Sequence, residues 1–114
     1  MRNLKMANND KVPELSKTEF EEFTKDGFVL VDFFAEWCMP CLMMAPVIDE
    51  LSENFKGKVK FGKINVDDNQ ETARKFNVSS IPNFVLFKDG KPVEQFVGAM
   101  SSEDFEKRLN SLIK

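Results

Sequence analysis

Two cysteines three positions apart are the residues of this sequence best suited to chemistry. Cys38 and Cys41 are separated by Met39 and Pro40, and the 114 residues contain no other cysteine and no histidine. A tetrahedral zinc site needs four ligands, so two thiolates without an imidazole argue against a metal. A purely structural bridge would close a loop of only four residues, which gives little entropic stabilisation. The pair is therefore interpreted as a reversible dithiol/disulfide.

The two sulfurs are predicted to have different roles. They lie where a predicted strand is followed by a helix, and the free N–H groups and dipole of a helix start stabilise an anion by about 0.3 to 1 kcal/mol. Cys38, nearest the helix start, is the candidate nucleophile, and Cys41 would resolve the mixed disulfide. Pro40 fixes φ between them and lacks an N–H, which helps to hold the pair at bridging distance.

Asp32 is the one acidic residue within an apolar and aromatic run that extends from Phe28 to Ala35. This pattern is typical of a strand covered on both faces, and burial should raise the pKa of Asp32. We predict that Asp32 accepts the proton of Cys41. Lys63, on the next predicted strand, is its expected charge neighbour. The alternative is a solvent-facing Asp32, which period-two alternation on a half-exposed strand permits.

The order of the predicted elements indicates one mixed α/β domain. Helices are predicted at 16–25, 39–55, 67–76 and from Ser101 or Ser102 onward, and strands at 28–35, 59–66, 84–87 and 93–97. Strand, helix, strand in succession predicts a parallel pair, and Asp89-Gly90 predicts a hairpin turn. Residues 1–13 are expected to be a loose extension and residues 14–114 the domain.

The composition does not point to nucleic acid or membrane. The chain has 16 Lys and Arg against 19 Asp and Glu, without a long run of either sign, so no phosphate-binding surface is expected. The longest apolar run is too short to span a bilayer, and the first 13 residues lack the apolar segment of a secretory signal. We therefore expect a cytoplasmic monomer. It has no Gly-rich dinucleotide-binding pattern and no predicted cofactor, so its electrons should come from a partner protein.

Four separated landmarks make the chain resemble the thioredoxin family. They are Val31-Asp32-Phe33-Phe34-Ala35-Glu36-Trp37-Cys38-x-Pro40-Cys41, Met44-Ala45-Pro46, Ile81-Pro82 and Val97-Gly98-Ala99, in that order. The resemblance covers roughly residue 15 to the end. It implies the thioredoxin fold, which is a central mixed β-sheet flanked by helices on both faces. It also implies a dithiol that reduces disulfides in partner proteins and is recharged by a thioredoxin-reductase-like electron donor.

The resemblance further implies a substrate-binding rim around the cysteines. Pro82 would be a cis-proline facing them, and Ile81 with Pro82 would offer backbone groups to an extended substrate segment. The implied apolar rim consists of Trp37, Val66, Ile81 and the segment Val97-Gly98-Ala99. Ordinary packing is the alternative for Val66 and Val97.

The chain departs from the usual family pattern next to the thiols. Met39 stands where Gly is usual, and Leu42 stands where a basic residue is common. The chemistry should survive these changes, but the redox potential and the fit of substrates, which Met39 should contact, are expected to differ. The surface around the two cysteines is predicted to be apolar and able to adapt to different substrates. For Met43 and Met44 we favour packing within the helix, because Met43 begins a stripe of apolar residues at steps of four.

Two other functions are compatible with the same residues. The pair can serve an oxidase or isomerase, because the residues between the cysteines and the stability of the reduced form set the direction of exchange. The chain can also be a binding module on the same fold, in which turnover is incidental. Replacing Cys38 by Ser separates these readings, since only a binding module should keep its biological activity.

Overall fold

The computed structural model describes residues 12–114, in which helices and strands alternate along the chain. In order they are α1 (Lys17–Thr24), β1 (Phe28–Phe34), α2 (Met39–Asn54), β2 (Lys60–Asn65), α3 (Gln70–Lys75), β3 (Asn83–Lys88), β4 (Lys91–Val97) and α4 (Ser102–Leu112). The strands form one mixed sheet in the order β2-β1-β3-β4. Every predicted element is present, with bounds shifted by one or two residues at most ends.

Strand β1 lies in the interior of the sheet and carries the site at its carboxyl end. It pairs in parallel with β2, as the strand-helix-strand order predicted, and antiparallel with β3. Its central residues are all buried, because helices cover both faces of the sheet. A strand in this position has no solvent-facing side, which explains its continuous apolar sequence.

Two hydrophobic layers hold the helices on the sheet. The layer under α2 and α4 includes Leu30, Met44, Ile48, Leu51, Phe84, Phe96, Phe105 and Leu109. The layer under α1 and α3 includes Leu15, Phe20, Val29, Val31, Phe33, Ile64, Ala73 and Phe87. Alternate residues of β1 therefore belong to opposite layers, as the two-residue period of a strand requires.

Local signals in the sequence fix several element ends. Ser16 caps α1, and its backbone N–H and side chain exchange hydrogen bonds with Glu19 to complete a capping box. Asp89 and Gly90 both have positive φ, 50° and 86°, as the two-residue turn between β3 and β4 requires. Ser101 caps α4 by accepting the Asp104 N–H.

One packing prediction is wrong. Met43 is exposed, whereas Met44 is buried in the layer under α2. The buried face of α2 instead runs through Cys41, Met44, Ala45, Ile48 and Leu51. This face is rotated by one position from the stripe that the spacing of four suggested, and the helix spacing of three and four permits either choice.

Residues 1–11 of the predicted loose extension lie outside the described part of the chain. Val12 is buried in the layer under α2, and the Pro13 carbonyl accepts the Lys63 N–H at 2.9 Å. Leu15 donates its N–H to the Lys63 carbonyl at 2.7 Å, and Glu14 bridges to Lys63 in parallel. This segment therefore pairs with the outer edge of β2 and fixes the backbone on both sides of Lys63. The boundary at residue 14 stays a prediction.

Candidate active site

The reactive pair lies at the first turn of α2, where β1 ends. Cys38 is the N-cap residue, and its Sγ accepts the Cys41 N–H at 3.2 Å. The two cysteines form a disulfide, with their Cα atoms 5.3 Å apart. Pro40 is the second residue of the helix, where an N–H has no intrahelical partner, so its absence leaves no bond unmade.

The cap position gives Cys38 a stabilised anionic form when the disulfide is open. The Cys41 N–H and the positive end of the helix dipole both face its sulfur, and both favour a thiolate over a thiol. Both cysteines are buried beside Ala35, with Phe34, Val66 and Ile81 packed against them. In this closed form Cys38 and Cys41 are therefore both shielded from solvent.

Asp32 is buried within the layer between the sheet and α2. Only 4% of its surface is exposed, so the solvent-facing alternative is wrong. On β1 it shares a face with Leu30, which packs with Met44 and Ile48, and with Phe34, which packs against the cysteine pair. The carboxyl group therefore lies beneath the first turns of α2.

Burial dominates the protonation of this carboxyl group. Its Oδ1 atom accepts no hydrogen bond from the described residues. The pKa of Asp32 is raised from 3.8 to about 7, because loss of hydration raises it by more than the nearby charge of Lys63 lowers it. Lys63 pairs with Asp32 in the β1–β2 register, and its Nζ lies 5.3 Å from the centre of the Phe34 ring. The expected charge neighbour is thus confirmed.

The loop before β3 lies against the cysteine pair. Ile81 packs on the pair, and the peptide bond between Ile81 and Pro82 is cis, as the resemblance implied. The Pro82 carbonyl accepts the Gly98 N–H at 2.9 Å, which brings the end of β4 next to this loop. Val97 is exposed there, and Ala99 follows on the surface.

A groove of about 330 Å³ opens beside the pair. Trp37, Val66 and the segment 78–81 line it, and Trp37 is 67% exposed. The Trp37 indole donates its Nε1–H to Asp67 Oδ2 at 2.8 Å, while the Asp67 N–H donates to Asn65 Oδ1. The indole is thus held over the groove. Of the rim predicted from the resemblance, Trp37, Val66 and Ile81 line this groove together.

Asp67 is the site residue that the sequence reasoning missed. The sequence pattern places it only at the start of the helix predicted at 67–76. The available signal was its place just after β2, because the carboxyl ends of parallel strands meet at one edge of a sheet. That edge also carries Trp37, three residues after β1.

The fold and the site together define a thiol–disulfide oxidoreductase with a dithiol at a helix N terminus. Residues 11–111 match the family model for thioredoxin. The chain is 42% identical over 99 residues to the thioredoxin of Staphylococcus haemolyticus, covering 87% of this chain and 95% of that protein. It is 40% identical to a thioredoxin of Staphylococcus aureus over the same shares.

A solved structure gives the same result. A mutant thioredoxin from Halobacterium salinarum superposes with a TM-score of 0.82 at 33% identity, covering 94% of this chain and 95% of that one. The chain belongs to the thioredoxin family and is a protein-disulfide reductase.

No cluster of three or more His, Cys, Asp or Glu side chains in residues 12–114 could hold a metal ion. None of the helices in this range is long and apolar enough to cross a membrane.

The raised pKa of Asp32 predicts a pH-dependent stability. The folded state holds this proton up to about pH 7, and the unfolded chain releases it near pH 3.8, so folding stability falls as pH rises between these values and stays low above them. Asp32→Asn should remove this loss and be more stable than the natural chain at pH 8, by on the order of 4 kcal/mol. Urea unfolding at pH 4 and pH 8 measures the difference. If the natural chain and Asp32→Asn differed in stability by the same amount at pH 4 and pH 8, the pKa of Asp32 would not be raised in the folded state.

Proposed function

We propose that the protein acts as a cytoplasmic monomer that reduces disulfides in partner proteins, with Cys38 as nucleophile, Cys41 as resolving thiol and Asp32 as proton acceptor. The observation that carries this proposal is the sulfur of Cys38 capping α2 while bonded to Cys41. The helix start thus favours a thiolate at Cys38, and Cys41 lies at bonding distance from it.

The first step forms a mixed disulfide. The Cys38 thiolate attacks one sulfur of the partner's disulfide, a Cys38–partner S–S bond forms, and the other partner sulfur leaves as a thiolate. Ile81 and Pro82 would supply backbone groups to the partner segment, and Trp37 with Val66 would border it. Val97, Gly98, Ala99 and Met39 would complete the binding surface.

The second step frees the reduced partner. Asp32 takes the proton of the Cys41 thiol, and the resulting thiolate attacks Cys38 Sγ, which expels the second partner thiolate and leaves the Cys38–Cys41 disulfide. The partner has gained two electrons, and the closed pair has lost them. A carboxyl group with a pKa near 7 suits this transfer, because it takes and returns a proton at the pH of the cytosol. Lys63 keeps that pKa from rising further.

The closed form must be reduced again before another turnover. The chain has no dinucleotide-binding Gly pattern, so we propose that a thioredoxin-reductase-like protein supplies the two electrons.

Single cysteine variants test the two sulfur roles. Cys41→Ser cannot resolve the first intermediate, so it should accumulate a covalent complex with a disulfide-containing protein such as insulin. Cys38→Ser should form none, and Ser at either position changes the volume equally. Non-reducing gels followed by dithiothreitol release measure the complex. Equal capture by both variants would contradict the assignment of the nucleophile, and biological activity retained by Cys38→Ser without disulfide reduction would indicate a binding module.

Asp32→Asn tests the proton transfer. It should slow resolution of the mixed disulfide by roughly a hundredfold at pH 7 and remove the inflection near pH 7 from the pH profile of that step. Stopped-flow measurement of capture and resolution separates the two steps. If the rates of capture and resolution fell by the same factor and the inflection near pH 7 remained, Asp32 would not be the proton acceptor.

A further inference from the structure

The first two turns of α2 are apolar on both faces. The buried face packs on the sheet, as described above. On the opposite face, the spacing i, i+3, i+4, i+7 brings four side chains onto one side of the helix. These residues are all exposed, and they form what we call the exposed stripe: Met39, Leu42, Met43 and Pro46.

The exposed stripe is unusual for a surface helix, which normally carries charged residues on its outer face. Met39, Leu42 and Met43 are 64%, 43% and 73% exposed. The sequence has no ionisable side chain other than the two cysteines from residue 37 to residue 48. Single exposed apolar residues need no explanation, but a contiguous group of them indicates a contact surface.

The position of the exposed stripe, beside Cys38, indicates that a partner protein covers it. Met39 follows Cys38 directly, so any protein joined to Cys38 through a mixed disulfide must lie against this end of α2. The stripe extends about 10 Å along the helix, at about 1.5 Å per residue. An extended segment covers this length with about three residues at roughly 3.3 Å each. The surface is thus continuous with the one on which the partner disulfide reacts.

We propose that the exposed stripe selects partner disulfides that have apolar side chains within about three residues of the reacting cysteine. This inference rests on the proposed function and specifies its substrate class. Apolar flanks gain free energy by leaving water against the stripe, and the unbranched Met side chains adapt to different shapes. A charged flank would lose hydration there without gaining a partner.

The test compares two synthetic peptide disulfides that differ only in the flanks of the cystine, Leu and Phe in one and Ser and Asn in the other. The natural protein should reduce the apolar peptide with a kcat/KM about tenfold higher, mainly through a lower KM. The double variant Leu42→Gln/Met43→Gln should bring this ratio close to one. Gln keeps the helix propensity and adds no charge near the dithiol.

Val93→Gln is the matched control. Val93 is also an exposed apolar residue, but it lies near the hairpin end of β4, opposite the end that pairs with Asn83 beside the site. This variant should keep the tenfold preference.

Each other outcome contradicts the proposal in a distinct way. If the double variant lowered kcat/KM by the same factor for both peptides, the exposed stripe would act on the chemistry of the dithiol and not on the choice of substrate. If the natural protein showed no preference, or if the double variant kept both the preference and the rates, the inference would be overturned and the reductase left intact. Sedimentation of the natural protein as a dimer that the double variant abolishes would make a second copy the occupant. If neither peptide were reduced at all, the proposed function itself would fail.

Discussion

The free energy required to charge one buried carboxyl group is the constraint around which the site is arranged. Asp32 lies on an interior strand, beneath a helix and without a hydrogen bond to Oδ1 from the described residues. A carboxylate in such a place is unfavourable unless a positive charge lies near it. Lys63 provides that charge from the adjacent strand, and residues 13–15 fix its backbone from the outer edge. Loss of hydration and the partial offset by Lys63 together place the pKa of Asp32 at about 7, a value that suits the proposed role of proton acceptor.

The start of α2 and the apolar layer beneath it have opposite effects on a negative charge. The helix N terminus stabilises an anion at Cys38, while the apolar layer below disfavours one at Asp32. Cys41 lies between them in the chain, one helical turn from Cys38 and on the buried face of α2. In the proposed mechanism the Cys38 thiolate attacks the partner disulfide, and Asp32, beneath the helix, takes the proton that Cys41 must lose. The same helix presents the exposed stripe outward, so one element carries the cysteine pair, part of the core and the proposed partner surface.

Much of this structure was predictable from the sequence, because the signals are local. The capping box of Ser16 and Glu19, the Asp89-Gly90 turn and the apolar run of β1 each depend on a few neighbouring residues. The place of Cys38 and Cys41 at the start of a helix was also predictable from the strand-to-helix pattern around them. Met43 was misplaced, because spacings of three and four both fit an apolar helix start, and only packing on the sheet decides between them. The hydrogen bond from Trp37 to Asp67 was missed, since it joins the ends of two strands that are far apart in sequence. The cis bond before Pro82 was known only from the family resemblance, because nothing in the nearby residues requires it.

We expect Cys38 and Cys41 to form a reversible redox couple that runs in the reducing direction. Equilibration with dithiothreitol redox buffers, followed by the fluorescence of Trp37, measures this couple, because the indole adjoins the pair and is the only Trp in the chain. We expect a single two-electron transition, in which the ratio of dithiol to disulfide in the protein changes tenfold for about every 30 mV of buffer potential, with a midpoint near the reducing poise of the cytosol. The transition should be absent in Cys41→Ser. A distinctly more oxidising midpoint would indicate an oxidase or isomerase, and the absence of any reversible transition in the folded protein would show that the cysteine pair is not a redox centre.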